Sequence, residues 1–317
     1  GYVLDSTPVS FTVSADNAEE ENALTVIKVR KENTAQKGKI SVRKTGDIFT
    51  SVATASSAYT NENDEMIVNP TTYTPVFADG DLSGTVFQVI AVEDIVTLDG
   101  TVRANVGDVV AEITTDENGY AETEPLYLGK YEVREIKAPY GYVLNNEPKD
   151  VELTYAGQEF EVRDTVNTAF ENEYQGVRIS LSKVMENDEL FGIYGKDYYT
   201  SVRFGLFASE NITAADGTVI PADGLLSEVS LDEDMTAKFD VQIPFGRYYV
   251  QEIATDEHYI LNGEKYLVNF EYMGHDIRTV DIDCGQFVNL LKRGRIEGHK
   301  VDDKSEPLEN AVFGLFR

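Results

Sequence analysis

The sequence predicts an all-β chain made of tandem immunoglobulin-like β-sandwiches. Three observations carry that expectation. Short runs rich in Val, Ile, Tyr, Phe and Thr alternate apolar with polar positions. Turn signals such as Asp99-Gly100, Asp116-Glu117-Asn118-Gly119 and Asp216-Gly217 separate them, and no amphipathic helix of useful length is evident. Landmarks also recur at fixed spacing, which marks a repeat.

The repeat defines the elements in order. Ile40-Ser41-Val42-Arg43-Lys44, Ile179-Ser180-Leu181-Ser182-Lys183 and Ile296-Glu297-Gly298-His299-Lys300 align, each after a glycine (Gly38, Gly176, Gly294). An asparagine (Asn33, Asn172, Asn289) precedes each of these lysines by 11 residues. Gly129-Lys130-Tyr131-Glu132-Val133-Arg134-Glu135-Ile136 aligns with Gly246-Arg247-Tyr248-Tyr249-Val250-Gln251-Glu252-Ile253. From that glutamate to the next asparagine is 37 residues in both copies, and from Phe87 to Glu135 or Phe204 to Glu252 is 48. The length difference between the copies, 22 residues, therefore falls between Lys44 and Phe87. This segment, 51–81, is rich in Ser, Thr, Asn and Ala and reads as a loop or added hairpin outside the core. The expected units are 34–172 and 173–289. Residues 1–33 read as the last strands of a preceding unit, and 290–317 as the first strands of a following one.

Composition narrows the function classes. With 56 acidic residues against 27 basic, the net charge of −29 repels the phosphate backbone and anionic lipid, so neither nucleic acid nor a membrane surface is an expected partner. No run of 18 apolar residues exists to span a membrane as a helix. The N-terminus carries no start methionine and no signal-peptide pattern, and the last residues are strand-like without a polar tail, so the chain reads as the interior of a longer protein. The single cysteine, Cys284, cannot form an intrachain disulfide, so strand-holding must come from another device if these β-domains lie outside the cell. His258, His275 and His299 are scattered, without a cysteine cluster, and no metal site or cofactor is expected. Asp232-Glu233-Asp234 and Asp281-x-Asp283 lack calcium-loop spacing and read as solvated turns.

Three polar residues stand on the wrong face. Strand side chains alternate, so Glu135 shares a face with Tyr131 and Val133, and Glu252 with Tyr248 and Val250. Lys44 lies with Ile40 and Val42, Lys183 with Ile179 and Leu181, Asn172 with Phe170, and Asn289 with Phe287. Burying one such group alone costs several kcal/mol, so the three are expected to meet in each unit. Burial shifts a lysine towards its neutral, nucleophilic amine. A carboxyl group held beside it can polarise an amide carbonyl and relay protons. Attack of the amine on the asparagine side chain then expels ammonia and leaves an isopeptide, a single-turnover reaction rather than enzymatic turnover.

The run from Tyr131 through Glu135-Ile136-Lys137-Ala138-Pro139-Tyr140-Gly141-Tyr142 to Leu144 resembles the E-x-x-A-P-x-G-Y signature of Cna B-type, SpaA-like prealbumin-fold domains of Gram-positive adhesins and pilins. Leu308-Glu309-Asn310-Ala311-Val312-Phe313 and Leu82-Ser83-Gly84-Thr85-Val86-Phe87 resemble their L-x-x-A-x-F strand. The resemblance implies cross-links from Lys44 to Asn172 and from Lys183 to Asn289, assisted by Glu135 and Glu252. The second copy, Glu252-Ile253-Ala254-Thr255-Asp256-Glu257-His258-Tyr259, departs from the signature but keeps its tyrosine. Asn33 and Lys300 have no completing partners within these residues.

The resulting expectation is a structural stalk segment of an extracellular cell-wall protein, whose partners are neighbouring repeats of the same chain. A second class stays open, a module in which the 51–81 insertion or a sheet face grips a host matrix protein or glycan. A third is an accessory domain of a surface enzyme.

Overall fold

The computed structural model describes residues 1–14, 19–21, 24–60, 66–162 and 165–314. Among them the helical elements are two short 3-10 turns, Gly195–Asp197 and Tyr199–Ser201; the rest of the regular structure is strand. The chain forms two sandwiches of the same strand order. In the first, Ile40–Ala55 is flanked along its start by Tyr120–Glu122, antiparallel, and Val166–Asn172, parallel. The facing sheet runs Val109–Thr114, Val86–Ala91, Gly129–Lys137, Lys149–Leu153. In the second, Gly176–Met185 lies between Thr236–Val241 and the parallel Thr279–Asn289. Its facing strands run Leu225–Ser230, Arg203–Ala208, Gly246–Ala254, Tyr266–Phe270.

Alternation puts one face of each strand inside. Ile40, Val42, Phe87, Val89, Tyr131, Val133 and Phe170 make the centre of the first core, and Ile179, Leu181, Phe204, Leu206, Tyr248, Val250 and Phe287 that of the second. Each such side chain contributes roughly 1.5–3 kcal/mol on full burial, so each sandwich holds its own sheets together. The outer turns seat the first strands with precision. Gly119, at φ +65°, accepts the Lys44 N–H at 2.7 Å, and a Cβ there would lie 2.3 Å from the Lys44 carbonyl oxygen. Met235 occupies the matching turn with φ 60° and accepts the Lys183 N–H at 2.8 Å.

A second repeated device escaped the sequence reading. Gln36 and Gln175, four residues before Ile40 and Ile179, are both buried. The Gln36 amide donates to the carbonyls of Gly157 and Phe160 at 2.7 and 2.8 Å and accepts from Ala156 N–H at 2.8 Å. Gln175 treats Gly274, Ile277 and Met273 in the same way, at 2.9, 2.6 and 2.9 Å. Each glutamine thus ties the entry of its sandwich to the loop before the last strand.

The 51–81 segment is a hairpin, one of the two expected forms, and none of its described residues is among the buried core side chains. Ile40–Ala55 continues well beyond Lys44 and pairs antiparallel with Thr72–Asp81. The far end of this ladder reaches the second sandwich: Thr72 pairs with Leu225, and Val52 N–H donates to Thr218 Oγ1 at 2.8 Å. Ala215 and Asp216 N–H donate back to the carbonyls of Phe49 and Thr50 at 3.2 and 3.0 Å. Phe49, Val52 and Tyr73 pack against the second core. One sheet therefore runs through both sandwiches. Residues 61–65, inside the same segment, lie outside the described residues.

Glu19–Glu21 and Leu24–Val26 pair with each other, and the N-terminal segment meets the first sandwich through a Tyr2–Ala35 bridge. Residues 15–18 and 22–23 lie outside the described residues. From residue 292 to 314 no strand forms; a Val301–Pro307 bridge is present, and Leu308–Phe313, expected as a strand, contains a turn at Glu309 and Asn310. No partner ladder for it lies among the described residues, and an extended segment holds its shape through such a ladder. Residues 315–317 are outside the described set.

Candidate functional site

Parallel pairing of first and last strands brings the expected residues together. Phe170 stands opposite Lys44, and Asn172 follows two positions on, on the same inward face. Glu135 is opposite Phe87 on the facing sheet. All three polar side chains are buried, with Lys44 at 0% exposure and Glu135 and Asn172 at 2%. They close a triangle. Lys44 Nζ donates to Glu135 Oε2 at 2.9 Å and to Asn172 Oδ1, while Asn172 Nδ2 donates to Glu135 Oε1 at 2.6 Å. Phe87 and Phe170 wall the site at 4.8 Å between ring centroids, and Lys44 Nζ lies 5.9 Å from the Phe170 centroid.

The second sandwich repeats the arrangement. Lys183 is opposite Phe287 and Met185 opposite Asn289; Glu252 is opposite Phe204. Lys183 Nζ lies 2.7 Å from Asn289 Oδ1 and 2.8 Å from Glu252 Oε1, and Asn289 Nδ2 donates to Glu252 Oε1 at 2.9 Å. The signature tyrosine has one task in both copies. The Tyr142 hydroxyl donates to the Asp47 carbonyl and the Tyr259 hydroxyl to the Glu186 carbonyl, each at 2.9 Å and each three residues past the lysine. This lashes the segment after the glutamate over the end of the first strand.

Burial lowers the pKa of Lys44 and of Lys183 below the ordinary lysine value of 10.5, opposed in both cases by the hydrogen bond and charge of the paired glutamate. Desolvation is the larger effect, and it favours the neutral amine. A testable pH dependence follows for a chain without an acceptor, Asn172→Ala. Between the lowered value and 10.5 its folded state binds fewer protons than the unfolded chain, so stability is expected to rise as pH rises through that window. Buried tyrosines such as Tyr131, pushed up to about 12, titrate nearby. The Lys44→Met/Asn172→Ala double variant therefore serves as reference in denaturant titrations at stepped pH. A stability difference between the two that falls with pH across the window would contradict the neutral-amine assignment.

The remaining candidates are not assembled. Asn33 and Lys300 are exposed. Asp232 caps its own turn, accepting the N–H groups of Asp234 and Thr236 at 3.1 and 2.8 Å. Among the described residues no group of three His, Cys, Asp or Glu side chains is placed to hold a metal ion. Cys284 packs against the second core, and burial pushes its thiol up to about 11.

Comparison with known proteins adds a family match over part of the chain. Residues 77–168 match the model described as SpaA, a prealbumin-like fold domain. Over 80 residues the chain is 32% identical to the trypsin-resistant surface T6 protein of Streptococcus pyogenes serotype M6, a match covering 25% of this chain and 14% of that protein. Among solved structures, the Bacillus anthracis TIE protein is 18% identical with a TM-score of 0.48, over 90% of this chain and 44% of that one. The minor pilin GBS52 of Streptococcus agalactiae is 15% identical with a TM-score of 0.27, over 83% and 100%. The chain thus spans a small part of the curated relative it matches and under half of the TIE chain. The resemblance read from Glu135 to Tyr142 is borne out where that motif lies: at residues 77–168 this chain matches the SpaA prealbumin-like fold domain.

Proposed function

We propose that this chain is a stalk segment of an extracellular, cell-wall-attached Gram-positive surface protein, each sandwich locked by a self-made Lys–Asn isopeptide bond. The units are 34–172 and 173–289, and their partners are neighbouring repeats; attachment to the wall is through another part of the protein. The observation that supports this most is the recurrence of one closed Lys–Glu–Asn arrangement inside two apolar cores. Neutral Lys44 Nζ attacks Asn172 Cγ, and the Cγ–Nδ2 bond breaks. One proton passes from Nζ to Nδ2 by way of Glu135, whose two oxygens touch both nitrogens, and ammonia leaves. The same balance holds for Lys183, Glu252 and Asn289. Fixed geometry of this kind is worth roughly 7–11 kcal/mol of barrier. Nothing is regenerated, so each site reacts once.

The alternative reading, a module gripping a host matrix protein or glycan, rested on the 51–81 insertion. Both flanks of that hairpin are engaged with the second sandwich, which weighs towards the stalk.

Intact mass under denaturing conditions tests the proposal. Two linked units are expected to leave the chain lighter than its sequence mass by two ammonias, and one missing ammonia would mean that a single unit is linked. Glu135→Ala is expected to fold with Lys44 and Asn172 unlinked. A wild-type mass equal to the sequence mass would overturn the cross-link.

A further inference from the structure

We infer that Thr255 is the acceptor that holds the departing nitrogen at the second site, a role without counterpart at the first. The inference rests on the cross-linking reading above and deepens it. A primary amide has two N–H donors on its nitrogen. At Asn289 both are engaged: Nδ2 donates to Glu252 Oε1 at 2.9 Å and to Thr255 Oγ1 at 2.8 Å. At the first site the position of Thr255, three residues after the glutamate, is Ala138, which has no acceptor on its side chain.

The two glutamates explain why the second site uses the hydroxyl. Glu135 divides its oxygens, Oε2 taking the lysine and Oε1 the amide nitrogen. Glu252 has Oε2 committed to the backbone N–H of Asn262 at 2.7 Å. Its Oε1 alone serves both Lys183 Nζ, at 2.8 Å, and Asn289 Nδ2. A single oxygen shared by two nitrogens fixes neither orientation well. Thr255 supplies the second point that turns the Asn289 amide so that Oδ1 faces Lys183, 2.7 Å away. During reaction Nδ2 gains the proton lost by Nζ and departs as ammonia. The Thr255 hydroxyl and Glu252 Oε1 then accept from the leaving group while the Lys183–Asn289 amide forms. The departure from the family signature at this position is on this view a compensation for a carboxylate pinned by its neighbouring loop.

The test uses the full chain and two variants. Thr255→Val keeps the shape and removes the hydroxyl; Thr255→Ser keeps the hydroxyl. Newly synthesised protein is sampled over time, digested, and the linked Lys183–Asn289 and Lys44–Asn172 peptides are quantified by mass. Thr255→Val is expected to slow linkage at the second site about tenfold, the scale of one lost hydrogen bond. Thr255→Ser is expected to stay within a few-fold of wild type, and the first site to be unchanged in both. Linkage in Thr255→Val at the wild-type rate, or in Thr255→Ser as slow as in Thr255→Val, overturns the assignment alone. A wild-type chain that never links Lys183 to Asn289 overturns the cross-link reading there and this inference with it.

Discussion

Pulled from its two ends in a single-molecule experiment, the wild-type chain is expected to keep both sandwiches closed, whereas Lys44→Ala releases a long extension step. Lys44 and Asn172 are separated by 128 residues in sequence, and Lys183 and Asn289 by 106. With the first and last strands joined covalently, load entering near Lys44 leaves near Asn172 without passing through the intervening strands. Removing the amine restores a path through the hydrogen-bond ladders. The freed segment, fully extended, adds on the order of 400 Å. The same substitution removes a constraint on the unfolded state that the chain-entropy treatment of large closed loops puts at about 5 kcal/mol. That is comparable to the whole stability of a small domain. Full extension of both wild-type units at the forces that unfold Lys44→Ala would refute the stalk reading and move the weight to the ligand-gripping module.

The second large effect concerns the hairpin that joins the sandwiches. Phe49 and Tyr73 lean on the second core, and Phe49 also meets Phe77 at 5.6 Å between ring centroids. Truncating both, Phe49→Ala/Tyr73→Ala, deletes apolar contact from two half-buried aromatics at about 2 kcal/mol each, below the 3–5 kcal/mol seen for fully buried ones. Hydrogen exchange reads the outcome. The N–H groups of Ala215 and Asp216, which donate across to the hairpin, are expected to exchange roughly 100- to 1000-fold faster. Amides in Val86–Ala91, in the far sheet of the first sandwich, are expected to hold their protection. Unchanged protection at Ala215 and Asp216 would mean that the hairpin does not hold the two sandwiches together. The tight linker Glu173-Tyr174-Gln175 would then carry that task through Tyr174, whose ring lies 4.8 Å from Phe245 and whose hydroxyl accepts the Phe245 N–H at 3.1 Å.

The candidate sites were legible because their signal is local and repeated. Alternation assigns a face to each strand residue from its immediate neighbours. Lys44, Glu135 and Asn172 could therefore be placed in the core, and their recurrence at Lys183, Glu252 and Asn289 made chance an insufficient account. Gln36 and Gln175 recur just as regularly. Their task stayed hidden because it depends on loop carbonyls more than ninety residues away in sequence. Thr255 looked like a lost signature residue, and its contact with Asn289 emerges only when Glu252 is seen tied to Asn262.

By itself, then, the sequence determined the fold class, the repeat and the membership of both Lys–Glu–Asn groups, since period-two alternation and fixed spacing are written in adjacent residues. The tertiary structure alone decided where the 51–81 hairpin goes and how each carboxylate divides its hydrogen bonds. An edge strand's backbone donors and acceptors accept any partner of suitable geometry. Which edge the hairpin joins is settled by the side chains beneath it, Phe49, Val52 and Tyr73 finding apolar cover on the second sandwich. That cover comes from residues distant in sequence, and no pattern within 51–81 encodes it.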